Sequence, residues 1–127
     1  MIHPVIDRYF ELMNAERWEE FATIWTDDAV VHAVGVSPRR GPDEILSHYT
    51  KLFRAWSEHR DTPTRVLTCG DAVTVEVTFE GITPDGRAIS FDAVDVIDVV
   101  DGKIARLTNW YDLVLVRRLL AEGEGDS

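Results

Sequence analysis

The sequence is poor in several features that whole classes of protein require. It has one cysteine, Cys69, in 127 residues, so neither an intrachain disulfide nor a thiolate metal cluster can form, which suits a reducing cytoplasm. Positive charge is scarce: 13 lysines and arginines stand against 23 acids, a formal net charge of -10. A surface of that sign repels phosphate backbones and anionic headgroups, so neither nucleic acid nor a membrane is an expected partner. No apolar run approaches the roughly 20 residues of a membrane span. Residues 1–9, with His3, Pro4, Asp7 and Arg8, lack the basic-then-apolar layout of a secretory signal. A soluble, cytoplasmic protein is expected. The histidines His3, His32, His48 and His59 have no spacing with the nearby acids that builds a metal site. With no glycine-rich phosphate loop and no Gly-x-Ser-x-Gly elbow either, no metal and no cofactor is expected.

What is present suffices for one domain. Hydrophobic residues make up 45% of the chain, enough for a modest core. We expect a single domain over 1–121, with the Gly-, Glu- and Asp-rich segment 122–127 as a disordered tail. Pro4 suits a first helical turn, and Ile2, Val5, Ile6, Tyr9, Leu12 and Met13 form one apolar stripe behind it. Trp18, Phe21, Ala22 and Trp25 share a face of a second short helix, which Asp27 and Asp28 end, and 29–34 reads as a short strand. Pro42, Asp43 and Glu44 then start a helix whose apolar face is Ile45, Leu46, Tyr49, Leu52, Phe53 and Trp56.

After Pro63 the period switches from helical to alternating. Strands are predicted over 64–69, 72–82, 87–100 and 103–112, joined by Gly70-Asp71, Pro84-Asp85-Gly86 and Asp101-Gly102. Asp112 can cap a last short helix through Val116, Leu119 and Leu120. Helices first and strands afterwards predict an α+β fold, a curved antiparallel sheet covered by three N-terminal helices in the order α-α-β-α-β-β-β-β. Val94 and Val96 lie opposite Ala93 and Ile97, so the outer face of the sheet is apolar in places, and a homodimer through that face is expected.

Two residues stand out chemically. Alternation puts Phe91, Ala93, Asp95, Ile97 and Val99 on one face of a strand, with Asp95 the odd member. A carboxyl among apolar neighbours has its ionised form disfavoured and can stay protonated as a hydrogen-bond donor, unless an arginine or a wet gap meets it. Tyr9 sits in the middle of the first helix's stripe, where its hydroxyl needs a partner; by itself it reads as a core tyrosine. A tyrosine and a protonated aspartic acid converging on one point would form an oxyanion hole.

The stretches Arg8-Tyr9-Phe10-Glu11-Leu12-Met13-Asn14-Ala15, Asp27-Asp28-Ala29-Val30-Val31-His32 and Arg40-Gly41-Pro42-Asp43-Glu44-Ile45 resemble the SnoaL-like and ketosteroid isomerase-like group. So does the ending, in which Phe91 to Val96 is followed by Val99, Val100, Asp101, Gly102, Lys103 and Ile104. The resemblance implies an NTF2-like cone with a pocket for a small hydrophobic, aromatic or polycyclic molecule. It also implies that Tyr9 and Asp95 occupy the oxyanion-hole positions. The base position of the isomerases is filled here by Ala33, which offers no proton acceptor. His32 beside it can serve as the base if a bulge turns it inward, whereas strict alternation points it out of the pocket. The limonene-epoxide hydrolases of the same fold use an aspartate, arginine and aspartate set, but no arginine lies two residues from Asp95 on its strand, and Arg106 next door should face the other way.

On the last strand Ala105, Leu107, Asn109 and Tyr111 share the face that the resemblance assigns to the pocket, and the Asn109 amide can bond a substrate carbonyl, Tyr9, Asp95 or water. Trp25, Tyr49, Phe53 and Trp56 project from the helices at positions that would close the cone; they read either as core residues or as aromatics around a small cavity that would suit a flat or polycyclic ligand. Three functions stay open on these residues: a cofactor-free isomerase, cyclase or lyase working through an enolate, a small-ligand carrier, and an interaction module that uses the outer sheet face.

Overall fold

The computed structural model describes residues 3–125. Helix α1, Pro4–Asn14, buries Val5, Ile6, Tyr9, Phe10, Leu12 and Met13. This is the stripe read from the sequence except for Ile2, which lies outside the described residues. A four-residue helix α2, Trp18–Phe21, tightens into a single 3-10 turn at Ala22–Ile24. Strand β1 follows at Trp25–Ala33, then the two-residue β2 at Arg39–Arg40 and the long helix α3 at Gly41–Arg54. The second half is β3 (Glu58–Cys69), β4 (Ala72–Ile82), β5 (Ala88–Val100), β6 (Lys103–Tyr111) and helix α4 (Leu113–Gly125).

The six strands form one curved sheet in the order β2-β1-β6-β5-β4-β3. The α+β cone is as expected, but the sheet is mixed. β1 runs parallel to β6, with Val31 opposite Leu107 and Ala33 opposite Asn109, because α3 and strands β3 to β5 intervene between them. The β3–β6 meander itself is antiparallel, and Asp101 and Gly102 turn β5 into β6 with φ of 50° and 78°. Both angles lie in the left-handed region that a two-residue hairpin of right-twisted strands demands.

Other boundaries also move. β1 begins four residues ahead of the predicted strand, so Asp27 and Asp28 lie within it, beside an irregularity in its pairing between Trp25 and Val30. β3 starts at Glu58 and continues through Pro63. It tolerates the proline because it is an edge strand, and the pairing shifts at Thr64, where Pro63 faces Val77 and Arg65 faces Glu76. α3 stops at Arg54, leaving Trp56 just beyond it. The final helix is a full element of 13 residues, capped as expected by Asp112, whose Oδ1 accepts the Leu115 N–H at 2.9 Å. It runs through Glu122 to Gly125, into the segment read as a tail, and the remainder of that segment lies outside the described residues.

The core lies between the concave face of the sheet and the helices. Leu12, Phe21, Trp25, Ile45, Ile97 and Leu107 are almost fully buried there. Among the described residues no helix is long and apolar enough to cross a membrane.

Candidate active site

The helices do not fill the cone. A cavity of about 300 Å³ remains between α1, α3 and the sheet, roofed by Leu113, Val116, Arg117 and Leu120 of α4. α4 is tied in place by Arg87, whose guanidinium donates to the Leu119 and Leu120 carbonyls at 2.9 and 3.0 Å.

Four of the cavity's polar groups come from one row across the sheet and one pair of helices. Period-two alternation on β5 turns Ala93, Asp95 and Ile97 inward. Antiparallel register sets Asp95 directly opposite Asn109 on β6, and the parallel pairing of β6 with β1 sets Asn109 opposite Ala33. Asn109 Nδ2 therefore donates to Asp95 Oδ1 at 2.7 Å. Asp95 is 4% exposed. Burial pushes its carboxyl up to about 6, against the opposing effect of the Asn109 hydrogen bond. When it is protonated, its second oxygen is free to donate into the cavity.

Tyr9 of α1 and Tyr49 of α3 meet over this row, with their hydroxyls 2.8 Å apart. One O–H is used between them, so the other is available to a ligand oxygen. Burial raises both phenols above their ordinary range; the partner hydroxyl and Asp95 add to the effect at Tyr9, and Asp95 adds to it at Tyr49. Both stay neutral donors at any physiological pH.

Of the residues singled out in the sequence, Tyr9, Tyr49, Phe53, Trp56, Asp95, Asn109 and Tyr111 come together on the cavity wall. Two do not. His32 pairs in register with Thr108 and lies on the strand face opposite to Val31 and Ala33, which line the cavity, because no bulge intervenes at this point of β1. Trp25 is 2% exposed but belongs to the core beneath the cavity, edge-on to Tyr9 and Phe21 at 6.0 and 5.7 Å. The 3-10 turn that precedes it ends the helical face on which it was placed. Arg106, opposite Asp98, is on the outer face as expected.

Sequence reasoning missed three polar residues of the cavity wall, His48 of α3, Arg117 of α4 and Asp61. Asp61 is the one beside the Asp95 carboxyl. Asp61 lines the cavity from β3, opposite Phe79. Burial, and next the nearby Asp95 carboxyl, push it up to about 7. Its backbone is clamped by Asn14 at the end of α1: the Asp61 N–H donates to Asn14 Oδ1 at 2.8 Å, and Asn14 Nδ2 donates to the Asp61 carbonyl at 2.9 Å. The available signal was Pro63, which biases the residue before it towards extended backbone, together with the alternation of His59 and Asp61. Among the described residues no group of three His, Cys, Asp or Glu side chains is placed to hold a metal ion.

The SnoaL-like domain model matches residues 6–107, from α1 into β6. The chain belongs to the SnoaL-like domain family. No curated protein matches this SnoaL-like chain. Solved structures do match it, with the fold in common. A hypothetical protein of ketosteroid isomerase-like fold from Catenulispora acidiphila, in complex with trimethylamine, is 14% identical with a TM-score of 0.80, over 87% of this chain and 88% of that one. TerC, co-crystallised with polyporic acid, is 20% identical with a TM-score of 0.80, over 90% and 93%. An LEH-like epoxide hydrolase of Mycobacterium tuberculosis is 22% identical with a TM-score of 0.75, over 94% and 92%.

Proposed function

We propose that the chain is a cofactor-free enzyme acting on a small hydrophobic carbonyl compound through an enolate-type intermediate, as an isomerase, cyclase or lyase. The observation that carries this is the Asp95–Asn109 pair beneath the Tyr9–Tyr49 pair, in a cavity walled mainly by apolar and aromatic side chains, with Asp61, His48 and Arg117 the other polar groups on its wall. Neutral donors fixed in an apolar wall stabilise an oxyanion more than its parent ketone, because the charge develops where water is excluded. Tyr9 or Tyr49 supplies one donor and the protonated Asp95 the other; Asn109 holds Asp95 in place. Phe53, Trp56 and Tyr111 would clasp the body of a flat ligand. The small ligands bound by neighbours of this fold, polyporic acid and trimethylamine, support a small-molecule pocket.

A second reading, a carrier of hydrophobic ligands, is favoured by Ala33, which stands in the cavity wall where the resembling isomerases keep their base. Titration with 2-naphthol, whose phenolate mimics an enolate, separates the two. Binding that weakens by roughly 1–3 kcal/mol in Tyr9→Phe and Asp95→Asn supports the oxyanion hole. Equal affinity in all three proteins leaves a hydrophobic cage and refutes it.

The outer sheet face is proposed as the seat of a second copy of the chain. Leu67, Val96 and Trp110 are 49%, 36% and 54% exposed, and the register places them on that face of β3, β5 and β6. Val96 and Trp110 are on adjacent strands, Leu67 is two strands from Val96 with Thr74 of β4 between them, and the Arg65–Glu76 ion pair lies on the same face.

A further inference from the structure

An enolate intermediate leaves one chemical role unfilled, since a carbon acid needs a base within reach. Ala33 has none to offer and His32 faces away from the cavity, which leaves two further titratable side chains on its wall as candidates, His48 of α3 and Asp61 of β3. Asp61 is close enough to Tyr9, Tyr49 and Asp95 to interact with them electrostatically, whereas the charged neighbour of His48 is Arg39. We propose that Asp61 takes and returns the substrate's proton, and that Asn14 is the residue that positions it, a role that exists only if the cavity carries the enolate chemistry proposed above.

The placement of Asp61 supports this. It is on the edge strand, so the outer side of its peptide has no further strand to pair with. Asn14 supplies that partner from α1, bonding both the N–H and the carbonyl of this one residue. A peptide fixed at both polar groups fixes the direction of its Cα–Cβ bond, which here puts the carboxyl on the cavity wall. Among the described residues no side chain or backbone N–H bonds that carboxyl. A structural aspartate in such a place would have a cation or a cluster of donors.

The two carboxyls of the cavity divide the labour. Asp61 is raised partly by the charge of Asp95, so the pair disfavours ionising both. A carbonyl oxygen beside Asp95 accepts a hydrogen bond only from its protonated form. It therefore draws the shared proton to Asp95 and leaves Asp61 ionised. In the step itself, the C–H bond α to the carbonyl breaks and its proton goes to an Asp61 oxygen. Its electron pair becomes the C=C bond, and the negative charge moves to the oxygen held by Asp95 and a tyrosine. Return of the proton to the same or a conjugated carbon restores the Asp61 carboxylate, and no co-reactant is consumed.

The test uses 2-tetralone, a bicyclic ketone with acidic α-hydrogens, and follows their exchange for deuterium in D2O by NMR. 2-Naphthol binding is measured on the same proteins. Asp61→Asn is expected to slow the protein-catalysed exchange by roughly 10²–10⁴-fold, the usual contribution of a general base, while naphthol affinity stays within about twofold. Asn14→Ala is expected to slow exchange by a smaller factor, again without loss of naphthol. Asp61→Ser serves in place of the asparagine variant if that one does not fold. Exchange at the wild-type rate in Asp61→Asn, with Tyr9→Phe slowed, would overturn the role of Asp61 and leave the oxyanion hole standing. Loss of naphthol binding together with exchange in Asp61→Asn would make Asp61 a structural residue and overturn the proposal. A wild type that neither binds naphthol nor catalyses exchange removes the enolate chemistry and Asp61's role with it.

Discussion

Replacing Asp95 by asparagine should make the protein more stable, and only above about pH 5. The Asp95 carboxyl has an ordinary value of 3.8 and is pushed up to about 6 by burial. A folded-state value above the unfolded one means that the native protein binds this proton more tightly. Stability is then intact below about pH 4, falls as the pH rises through the interval from about 4 to about 6, and is flat beyond it. A shift of about two units, at 1.36 kcal/mol per unit, is about 3 kcal/mol of stability lost at pH 8. Asp61, pushed up to about 7, adds a loss of the same sign that continues to about pH 7.

The overall negative charge of the chain acts in the same direction, so the pH profile of the wild type alone does not isolate Asp95. The difference between wild type and Asp95→Asn does. An asparagine is nearly isosteric with the protonated acid, and its amide oxygen can accept from Asn109 as Asp95 Oδ1 does at 2.7 Å. Urea unfolding followed by the fluorescence of the four tryptophans should give the two proteins equal stability within about 1 kcal/mol at pH 4.5. At pH 8 the variant should be ahead by about 2–3 kcal/mol. The same variant should bind naphthol less well, so stability and function move in opposite directions. A difference that does not change with pH, or a variant that is weaker at pH 8, would refute the reasoning and place solvent or a cation at the Asp95 carboxyl.

Two more consequences follow from geometry. In Gly81→Ala the new Cβ would stand 2.5 Å from Cε3 of Trp56 and 2.9 Å from Cε1 of Phe79. Since Trp56 lies against Phe79 on the cavity wall, the ring must move inward; a stability loss of about 1–3 kcal/mol by urea unfolding is expected, with weaker naphthol binding, and wild-type behaviour in both would refute this. Val96→Arg puts a charge in the middle of the exposed outer patch and should turn a dimer into a monomer in sedimentation velocity without changing naphthol affinity; a wild type that sediments as a monomer refutes the dimer.

How much could be read in advance depended on how local the cause was. The stripe of α3 is a property of its own residues, and Ile45, Tyr49 and Phe53 are buried as the spacing requires. The Asp101–Gly102 turn is likewise local. Asp95 was legible because a strict period of two leaves a single acid on an apolar strand face, and Asn109 as the polar member of the face that the resemblance assigns to the pocket. Their pairing was not, because the turn alone would set Thr108 opposite Asp95 and the register shift between Asp98 and Val99 brings Asn109 there. The parallel pairing of β1 with β6 was not legible, because it joins segments some seventy residues apart that share no turn. β3 was cut short because proline usually breaks a strand, and only its position at the sheet edge, a fact of the whole topology, permits Pro63. Asp61 was lost with that segment. Its fixing partner, Asn14, is 47 residues away and looks from the sequence like nothing more than the end of a helix.

The two buried carboxyls bear on the choice between enzyme and carrier. A carrier gains affinity for an apolar ligand from apolar walls, and each acid in such a wall costs stability once ionised. Replacing Asp95 by leucine and Asp61 by valine would suit a carrier on both counts. This chain keeps both acids and invests further groups in them: Asn109 in one carboxyl and both ends of the Asn14 amide in the backbone of the other. Asn109 and Asn14 lie on β6 and α1, elements with no covalent or register relation to each other. Each acid is therefore held independently, which is the arrangement expected when two carboxyls have different tasks at one ligand, a donor to its oxygen and an acceptor from its carbon.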